Sequence, residues 1–320
     1  MIYSKMWVVG GAAALYLISP LIDPYIRLYH QDNALAGELL KAVPSLQGKF
    51  WPTPWLANGH LQSFYAVTLG GVGGPRVQYS RELVKLRDGG TLSIDWANDD
   101  LEGVNRVMII FHGLTGGSEQ LYVRICVSQA LSKGYRVGVM QMRGINGTPM
   151  TSCKLANAGV SEDLSEGLEV VHAHYPGAKI AAIGMSMGAN LVLKYAGESR
   201  KNCLLSAIVA ISCPFDLLQC CQTLRQFQFR LSDKMLTSNL KALIRANYTV
   251  ISQLQGINGI DMDQVQAATS VYEFDDLLTR RALGLGSVEE YYQTSSCTRV
   301  LADICVPTLA INALDDPVTT

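Results

Sequence analysis

The sequence predicts an α/β domain with a mostly parallel central sheet and helices on both of its faces. Three observations support this. Short apolar runs alternate with helix-forming runs between residues 106 and 212, which is the signature of a parallel sheet. The chain has 320 residues and is 48% hydrophobic, enough for one large core. One apolar run, Lys179–Ile183, leads into a glycine-flanked serine and then into a helix-forming run.

The elements follow from the apolar periodicity in chain order. Two alternating stretches, Val77–Leu86 and Thr91–Ala97, flank a turn at Asp88-Gly-Gly90 and predict a β-hairpin. Further strands are predicted at Arg106–Phe111, Tyr135–Met140, Lys179–Ile183, Leu205–Ser212 and Val306–Asn312, and helices at about 120–131, 161–174 and 189–196. The segment at about 214–300 breaks this alternation and is helical in pattern, so we expect it to be a lid that covers a site.

The glycine-flanked serine lies in Gly184-Met-Ser-Met-Gly188. In a strand–serine–helix turn of this kind, the serine backbone is strained, and a side chain at either glycine would collide with the neighbouring element. The turn holds the hydroxyl out at the end of the sheet. The pattern therefore predicts that Ser186 is a nucleophile. The alternative is an ordinary turn with a small buried residue.

A glycine-rich loop, His112-Gly-Leu-Thr-Gly-Gly-Ser118, follows the predicted strand Arg106–Phe111. Loops of this kind present backbone N–H groups to the oxyanion that develops during acyl transfer. We expect the amides of Leu114 and Met187 to form this oxyanion hole, with Thr115 as the alternative to Leu114. We expect His112 to be a core histidine that pins the loop by hydrogen bonds.

A carboxylate follows the last predicted strand, in the segment Ala313-Leu-Asp-Asp-Pro-Val318. An acid at this place in the fold would orient a histidine and stabilise the imidazolium. The Asp-x-apolar spacing favours Asp316 as this acid and Asp315 as a turn former. The alternative is that both are turn residues before Pro317.

No histidine follows Asp316, although serine, acid, histidine is the chain order of such a triad. All five histidines lie earlier in the sequence. We therefore expect the chain to be a fragment that ends before the base, with the last strand and helix of the sheet missing. We expect this polypeptide by itself to be nearly inactive.

Composition excludes several function classes. The net charge of −1 gives no reason to expect a nucleic-acid partner. The eight cysteines show no metal-ligand spacing, and the chain has no phosphate-binding or dinucleotide-binding glycine loop. We therefore expect no metal and no cofactor.

The N-terminal segment Met6–Ile22 has no formal charge and is rich in Val, Ala, Leu and Ile. We expect residues 1–28 to be an uncleaved membrane anchor with its flank, and residues 29–320 to be the catalytic domain. A cleaved signal peptide and a buried N-terminal helix are the alternatives.

Taken together, these motifs resemble the α/β-hydrolase superfamily. The closest resemblance is to its membrane-anchored branch of lipases and esterases, which contains the α/β-hydrolase-domain-containing lipases of types 1 and 3, their plant embryogenesis-associated relatives and the yeast medium-chain ester synthases. The resemblance spans about residues 29–318. Its marks are Asn58-Gly-His-Leu-Gln62, Gly113-Leu-Thr-Gly116, Met142-Arg-Gly144, Gly184-Met-Ser-Met-Gly188, Asp261-Met-Asp263, Glu273-Phe-Asp275, Glu290-Tyr-Tyr292 and Asn312–Pro317.

The resemblance implies a serine hydrolase that acts on acyl esters, including medium-chain lipids and phospholipids. It implies Ser186 as nucleophile, Asp316 as acid and a single-pass membrane protein, which we expect in the endoplasmic reticulum or another endomembrane. Two alternatives stay open. An acyltransferase would use an alcohol in place of water, and a chain that lacks the histidine would be a non-catalytic lipid-binding fragment.

Overall fold

The computed structural model describes residues 25–56, 58–68, 73–97, 105–226 and 230–319. The chain divides into two compact units, residues 1–70 and residues 71–320. The predicted anchor, Met6–Ile22, lies outside the described residues, and so the domain boundary after residue 28 stays a prediction. Within the described ranges, every helix is too short or too polar to cross a bilayer.

The described part of the first unit contains two α-helices, α1 (Ala34–Ala42) and α2 (Gly59–Thr68). Each begins after an asparagine whose side chain caps the helix. The Oδ1 of Asn33 accepts the Ala36 N–H at 2.9 Å, and the Oδ1 of Asn58 accepts the Leu61 N–H at 3.0 Å. Two short 3₁₀ helices lie between α1 and α2, at Pro44–Gln47 and Pro54–Leu56.

Seven strands of the second unit form one sheet in the described part of the chain. The strands are β1 (Tyr79–Lys85), β2 (Thr91–Ala97), β3 (Arg106–Phe111), β4 (Arg136–Gln141), β5 (Lys179–Met185), β6 (Leu205–Ile211) and β7 (Thr308–Ile311). Their order across the sheet is β1-β2-β4-β3-β5-β6-β7. The pairs β1–β2 and β2–β4 are antiparallel and the other pairs are parallel, which confirms the predicted mostly parallel sheet and the hairpin.

Helices follow the strands in the predicted places. The first three of the second unit are α3 (Leu121–Ser132), α4 (Glu162–His174) and α5 (Met187–Ser199). The segment between β6 and β7 contains α6 (Leu217–Leu224), α7 (Arg230–Ala246), α8 (Tyr248–Ile251), α9 (Met262–Ala267), α10 (Val271–Phe274), α11 (Arg280–Ala282) and α12 (Val288–Ser295), with a π-helical turn at Asp275–Thr279. Short 3₁₀ turns complete the unit at Arg200–Asn202, Ser252–Leu254, Ile257–Gly259, Cys297–Arg299 and Leu301–Asp303.

Alternate side chains of β3 enter different cores, as the period of two in a strand requires. Val107 and Ile109 pack in the core that includes α4 and α5. Ile110, whose side chain points to the opposite face of the sheet, packs in a separate core with Val123 and Val127 of α3. Both faces of the sheet are therefore covered by helices, as the apolar runs predicted.

The strand before the serine is longer than its apolar run predicts. The prediction ends at Ile183, whereas β5 continues to Met185. Gly184 still pairs with Phe111 of β3, and Met185 pairs with Ile211 of β6. The strands on both sides, β3 and β6, supply hydrogen-bond partners for this end of β5. These hydrogen bonds outweigh the weak preference of glycine for strands.

A buried arginine connects the hairpin turn to α4. Arg143 lies in the loop after β4. Its guanidinium donates hydrogen bonds to both carboxylate oxygens of Asp163, at 2.5 and 2.7 Å, and to one oxygen of Asp88, at 2.6 Å. It also donates to the Ser152 hydroxyl at 2.8 Å. The side chain of Arg143 is 2% exposed, so its charge depends on these partners. Its hydrogen bond to Asp88 is the main cause that lowers the pKa of that carboxyl.

Replacement of Arg143 by methionine leaves two carboxylates without their buried cation, so we expect Arg143→Met to lower the free energy of unfolding by about 3–5 kcal/mol. The control is Arg87→Met, which removes an ion pair with Glu169 whose arginine is 73% exposed. Exposed pairs contribute about 0–1 kcal/mol. Urea unfolding measures the free energy of unfolding of both variants. An equal loss in the two would show that burial of Arg143 does not make its ion pairs more important than the exposed pair.

Candidate active site

Ser186 lies at the turn between β5 and α5 with a backbone that side-chain-bearing residues rarely adopt. Its φ is 53° and its ψ is −122°. Its N–H donates to the Ile211 carbonyl at 2.9 Å, and its own carbonyl accepts the Ala189 N–H at 2.9 Å. Such a conformation costs about 1–3 kcal/mol and persists only where the surroundings impose it. The strain expected from the sequence is therefore present at Ser186.

The two flanking glycines are required by close backbone approaches. A Cβ at Gly188 would lie 2.4 Å from the Phe111 carbonyl oxygen and 2.6 Å from that of His112. A Cβ at Gly184 would lie 2.6 Å from the Ala189 Cα. All three distances are too short for any side chain, which confirms the steric reason given for the motif.

The glycine-rich loop after β3 passes directly beside the serine. A Cβ at Gly113 would lie 3.2 Å from the Ser186 Cβ. The carbonyl oxygen of Gly113 accepts two hydrogen bonds, one from His112 Nδ1 at 2.8 Å and one from the Gly116 N–H at 3.0 Å. His112 is fully buried, and this burial lowers its pKa. A neutral His112 that carries its proton on Nδ1 therefore pins the loop, as expected.

The two amides predicted for the oxyanion hole are available as donors. Within the described residues, the N–H groups of Leu114 and Met187 have no hydrogen-bond acceptor. The same is true of Thr115. Leu114 and Met187 line one chamber together with Ser186, and Thr115 does not. This placement favours Leu114 over Thr115 as the donor.

The far end of the loop is held by a buried polar cluster that sequence reasoning missed. Asp95 of β2 is 2% exposed and accepts hydrogen bonds from Ser118 at 2.7 Å and from Gln141 at 3.0 Å. Arg81 of β1 bonds both oxygens of the same carboxylate, at 2.6 and 2.8 Å. A charged residue among apolar neighbours in the run Thr91–Ala97 is the signal that could have identified this cluster.

Asp316 follows β7, two strands along the sheet from β5, which corresponds to about 10 Å between strand axes. Its Oδ1 accepts the N–H groups of Val318 at 2.8 Å and Thr319 at 3.0 Å. Val318 and Thr319 line the chamber that contains Ser186. Asp316 is half-buried and Asp315 is exposed. Asp316 is thus the aspartate bonded to the two residues of this segment that line the chamber, which favours it over Asp315 as the acid.

The chamber above Ser186 has a volume of about 150 Å³ and is mostly apolar. Residues of the segment between β6 and β7 form much of its wall, including Leu217, Leu224, Leu236, Leu240, Leu243, Ile244, Val271 and Phe274. Within the described residues, no histidine lines it. A mostly apolar chamber that contains the Ser186 side chain suits a substrate with an acyl chain.

One buried carboxyl interrupts the apolar wall. Asp275 accepts a hydrogen bond from the Thr279 hydroxyl at 2.5 Å and from the Tyr292 hydroxyl at 2.8 Å. Burial raises the pKa of Asp275 to about 6, although both hydrogen bonds oppose this shift. The bond to Tyr292 joins the π-helical turn at Asp275–Thr279 to α12, so it holds two parts of the wall together.

The fold and the strained serine define a class of enzyme. Residues 106–320 match the family of the α/β hydrolase fold. The chain belongs to the α/β-hydrolase family, within its lipase and esterase branch.

Three relatives illustrate this branch. The chain is 30% identical to the monoacylglycerol lipase ABHD2 of Mus musculus, over 96% of this chain and 76% of the relative. It is 32% identical to the phospholipase ABHD3 of Mus musculus, over 95% of this chain and 74% of the relative. It is 29% identical to the embryogenesis-associated protein EMB8 of Picea glauca, over 88% of this chain and 63% of the relative.

The raised pKa of Asp275 predicts a specific pH dependence of stability. Between its usual value of 3.8 and about 6, the folded state holds a proton that the unfolded state releases. The contribution of this group to stability is therefore complete below about pH 4 and is lost as the pH rises through about 6. Relative to Asp275→Asn, we expect the protein to gain about 1 kcal/mol between about pH 7.5 and pH 5.

Urea unfolding at both pH values measures this gain. Asp303→Asn is the control, because Asp303 forms an exposed pair with Arg200. We expect the control to keep the pH dependence of the unsubstituted protein. The same dependence in Asp275→Asn would show that Asp275 does not take up a proton in this range.

Proposed function

We propose that the protein is a serine hydrolase that cleaves carboxylic esters of glycerolipids through an acyl-serine intermediate. The observation that carries this proposal is the strained Ser186 in the lining of an apolar chamber, together with Leu114 and Met187, whose N–H groups have no acceptor among the described residues. Ser186 would be the nucleophile, the two N–H groups would bind the oxyanion, and the chamber wall would bind the acyl chain.

In the acylation step, the Ser186 oxygen attacks the ester carbonyl carbon. The carbonyl oxygen becomes an oxyanion that accepts hydrogen bonds from the amides of Leu114 and Met187. The intermediate then expels the alkoxide, which takes up the proton that the Ser186 hydroxyl gave up and leaves as the alcohol, and the acyl group stays on Ser186. In the second step water attacks the acyl-enzyme, one of its protons returns to the Ser186 oxygen, and the fatty acid is released.

Asp316 is the proposed acid of the triad. Its Oδ1 is occupied by the two backbone amides of Val318 and Thr319, which hold the carboxylate in a fixed orientation. A carboxylate held in this way can orient an imidazole and stabilise its charged form.

The proposed substrate class rests on the chamber and on the relatives. The leucine and isoleucine side chains of the wall suit the hydrocarbon of an acyl chain. Two of the relatives are named as a monoacylglycerol lipase and a phospholipase. We therefore propose monoacylglycerols and phospholipids as the first substrates to assay.

We also propose that residues 6–22 anchor the protein in an endomembrane, such as that of the endoplasmic reticulum, as a single-pass segment. The support is the sequence alone. Seventeen uncharged residues would span about 26 Å as a helix, close to the ~30 Å of the hydrocarbon core.

The nucleophile is tested with Ser186→Ala in the full-length protein. We expect this variant to lose labelling by a fluorophosphonate probe and to lose hydrolysis of monoacylglycerol by roughly 10⁴-fold or more, because the acyl-enzyme cannot form. Ser212→Ala is the matched control. Ser212 is also half-buried, also has a positive φ of 50°, and also directly follows a strand, the neighbouring β6.

We expect Ser212→Ala to keep both activities. Labelling that survives in Ser186→Ala would place the nucleophile elsewhere. A protein that binds monoacylglycerol, and neither hydrolyses it nor reacts with the probe, would be a lipid-binding protein and not an esterase.

The anchor is tested by extraction of membranes with alkaline carbonate. We expect the full-length protein to stay in the membrane pellet. The double variant Leu15→Lys and Leu17→Lys should be released, because two charges in the span each cost about 3 kcal/mol. Release of both proteins would exclude the anchor. A mature N-terminus after residue 22, found by mass spectrometry, would show a cleaved signal peptide.

A further inference from the structure

Gly113 is held by hydrogen bonds at every polar group of its backbone. Its carbonyl accepts from His112 and Gly116, as described above. Its N–H donates to the hydroxyl oxygen of Tyr122 at 3.2 Å. Gly113 is also the residue of the loop whose Cα lies against Ser186.

These bonds determine the direction of the Leu114 N–H. The carbonyl of Gly113 and the N–H of Leu114 belong to the same planar peptide group and point in opposite directions. The carbonyl is fixed by His112, but a glycine can still rotate about its own φ and ψ. The Tyr122 bond fixes the preceding peptide group, and so the two peptide planes around Gly113 are both held.

Tyr122 reaches the loop from the first turn of α3, which begins at Leu121. A Cβ at Gly116 would lie 2.8 Å from the Tyr122 hydroxyl oxygen, and a Cβ at Gly113 would lie 3.5 Å from it. The Tyr122 hydroxyl therefore fits against the loop because Gly116 has no side chain. The tyrosine is 40% exposed overall, whereas its hydroxyl faces the loop.

We infer that Tyr122 is a positioning residue of the oxyanion hole, which it serves through its hydrogen bond to Gly113. This inference rests on the proposed esterase function. Tyr122 is not among the described residues that line the chamber, whereas Leu114, Ser186 and Met187 are. Its effect is therefore exerted on the loop and not on the acyl chain.

The test is Tyr122→Phe, which keeps the ring and removes the hydroxyl. Tyr195→Phe is a closely matched control, because the Tyr195 hydroxyl also accepts a backbone N–H, that of Leu204, at 3.1 Å. That bond lies at the start of β6, at the opposite end of the sheet from Ser186. Thermal unfolding of both variants verifies that each is folded.

Three measurements separate positioning from a merely structural role. We expect Tyr122→Phe to lower kcat on the order of tenfold with little change in KM, less than the roughly 10²–10³-fold loss of a whole oxyanion donor. We expect a similar loss of affinity for a trifluoromethyl ketone, whose adduct with serine carries an oxyanion. Hydrogen exchange of the backbone amides at 113–116 should become faster. Tyr195→Phe should leave all three unchanged.

The two proposals fail in different ways. Absence of turnover and of probe labelling in the unsubstituted full-length protein would overturn the esterase function, and the hydrogen exchange at 113–116 would still decide whether Tyr122 holds the loop. An active protein in which Tyr122→Phe keeps its kcat, ketone affinity and amide exchange would overturn the positioning role. An equal loss of kcat and ketone affinity in Tyr195→Phe would overturn it too.

Discussion

The contact between Gly188 and the end of β3 is the constraint on which the rest of the site depends. The backbone of Gly188 lies so close to the Phe111 carbonyl oxygen that a Cβ there would be only 2.4 Å away. This approach sets α5 against the sheet and forces the chain to reverse at Ser186 with a positive φ. The helix that follows the serine thus packs close against the sheet, and this packing maintains the strained backbone at Ser186.

The same contact brings the nucleophile and the glycine-rich loop together. Because the loop follows β3 directly, the residues after Phe111 pass beside Ser186, and Gly113 lies against it. Hydrogen bonds then fix the loop at both ends. His112 and Tyr122 hold Gly113, and Asp95 holds Ser118. The site thus combines a packed backbone, which resists displacement, with hydrogen bonds that orient individual peptide groups.

Local sequence predicted the elements well because their signals are local. The strands β3, β4 and β6 are short apolar runs that alternate with helix-forming runs, which is typical of a buried parallel sheet, and the glycines of the serine turn form a pattern of five residues. The class of enzyme follows from the same turn together with the family match. The predicted end of β5 was too early because Gly184 is held in the strand by partners on β3 and β6, which local sequence does not show.

The residues that the sequence did not identify act through contacts between distant parts of the chain. Tyr122 is one of several aromatic residues in helix-forming runs, and only the folded loop shows that its hydroxyl meets the Gly113 N–H. Asp275 and Tyr292 gain their role by meeting at 2.8 Å across the chamber wall.

By itself, the sequence determined the sheet, the strained serine and the glycine loop, because apolar runs and glycine-rich turns are visible within a few residues of sequence. The tertiary structure alone decided which amides lack acceptors, which carboxyl is buried and which side chains line the chamber. Those properties depend on neighbours brought close by folding, and the positions of such neighbours are not encoded in local spacing.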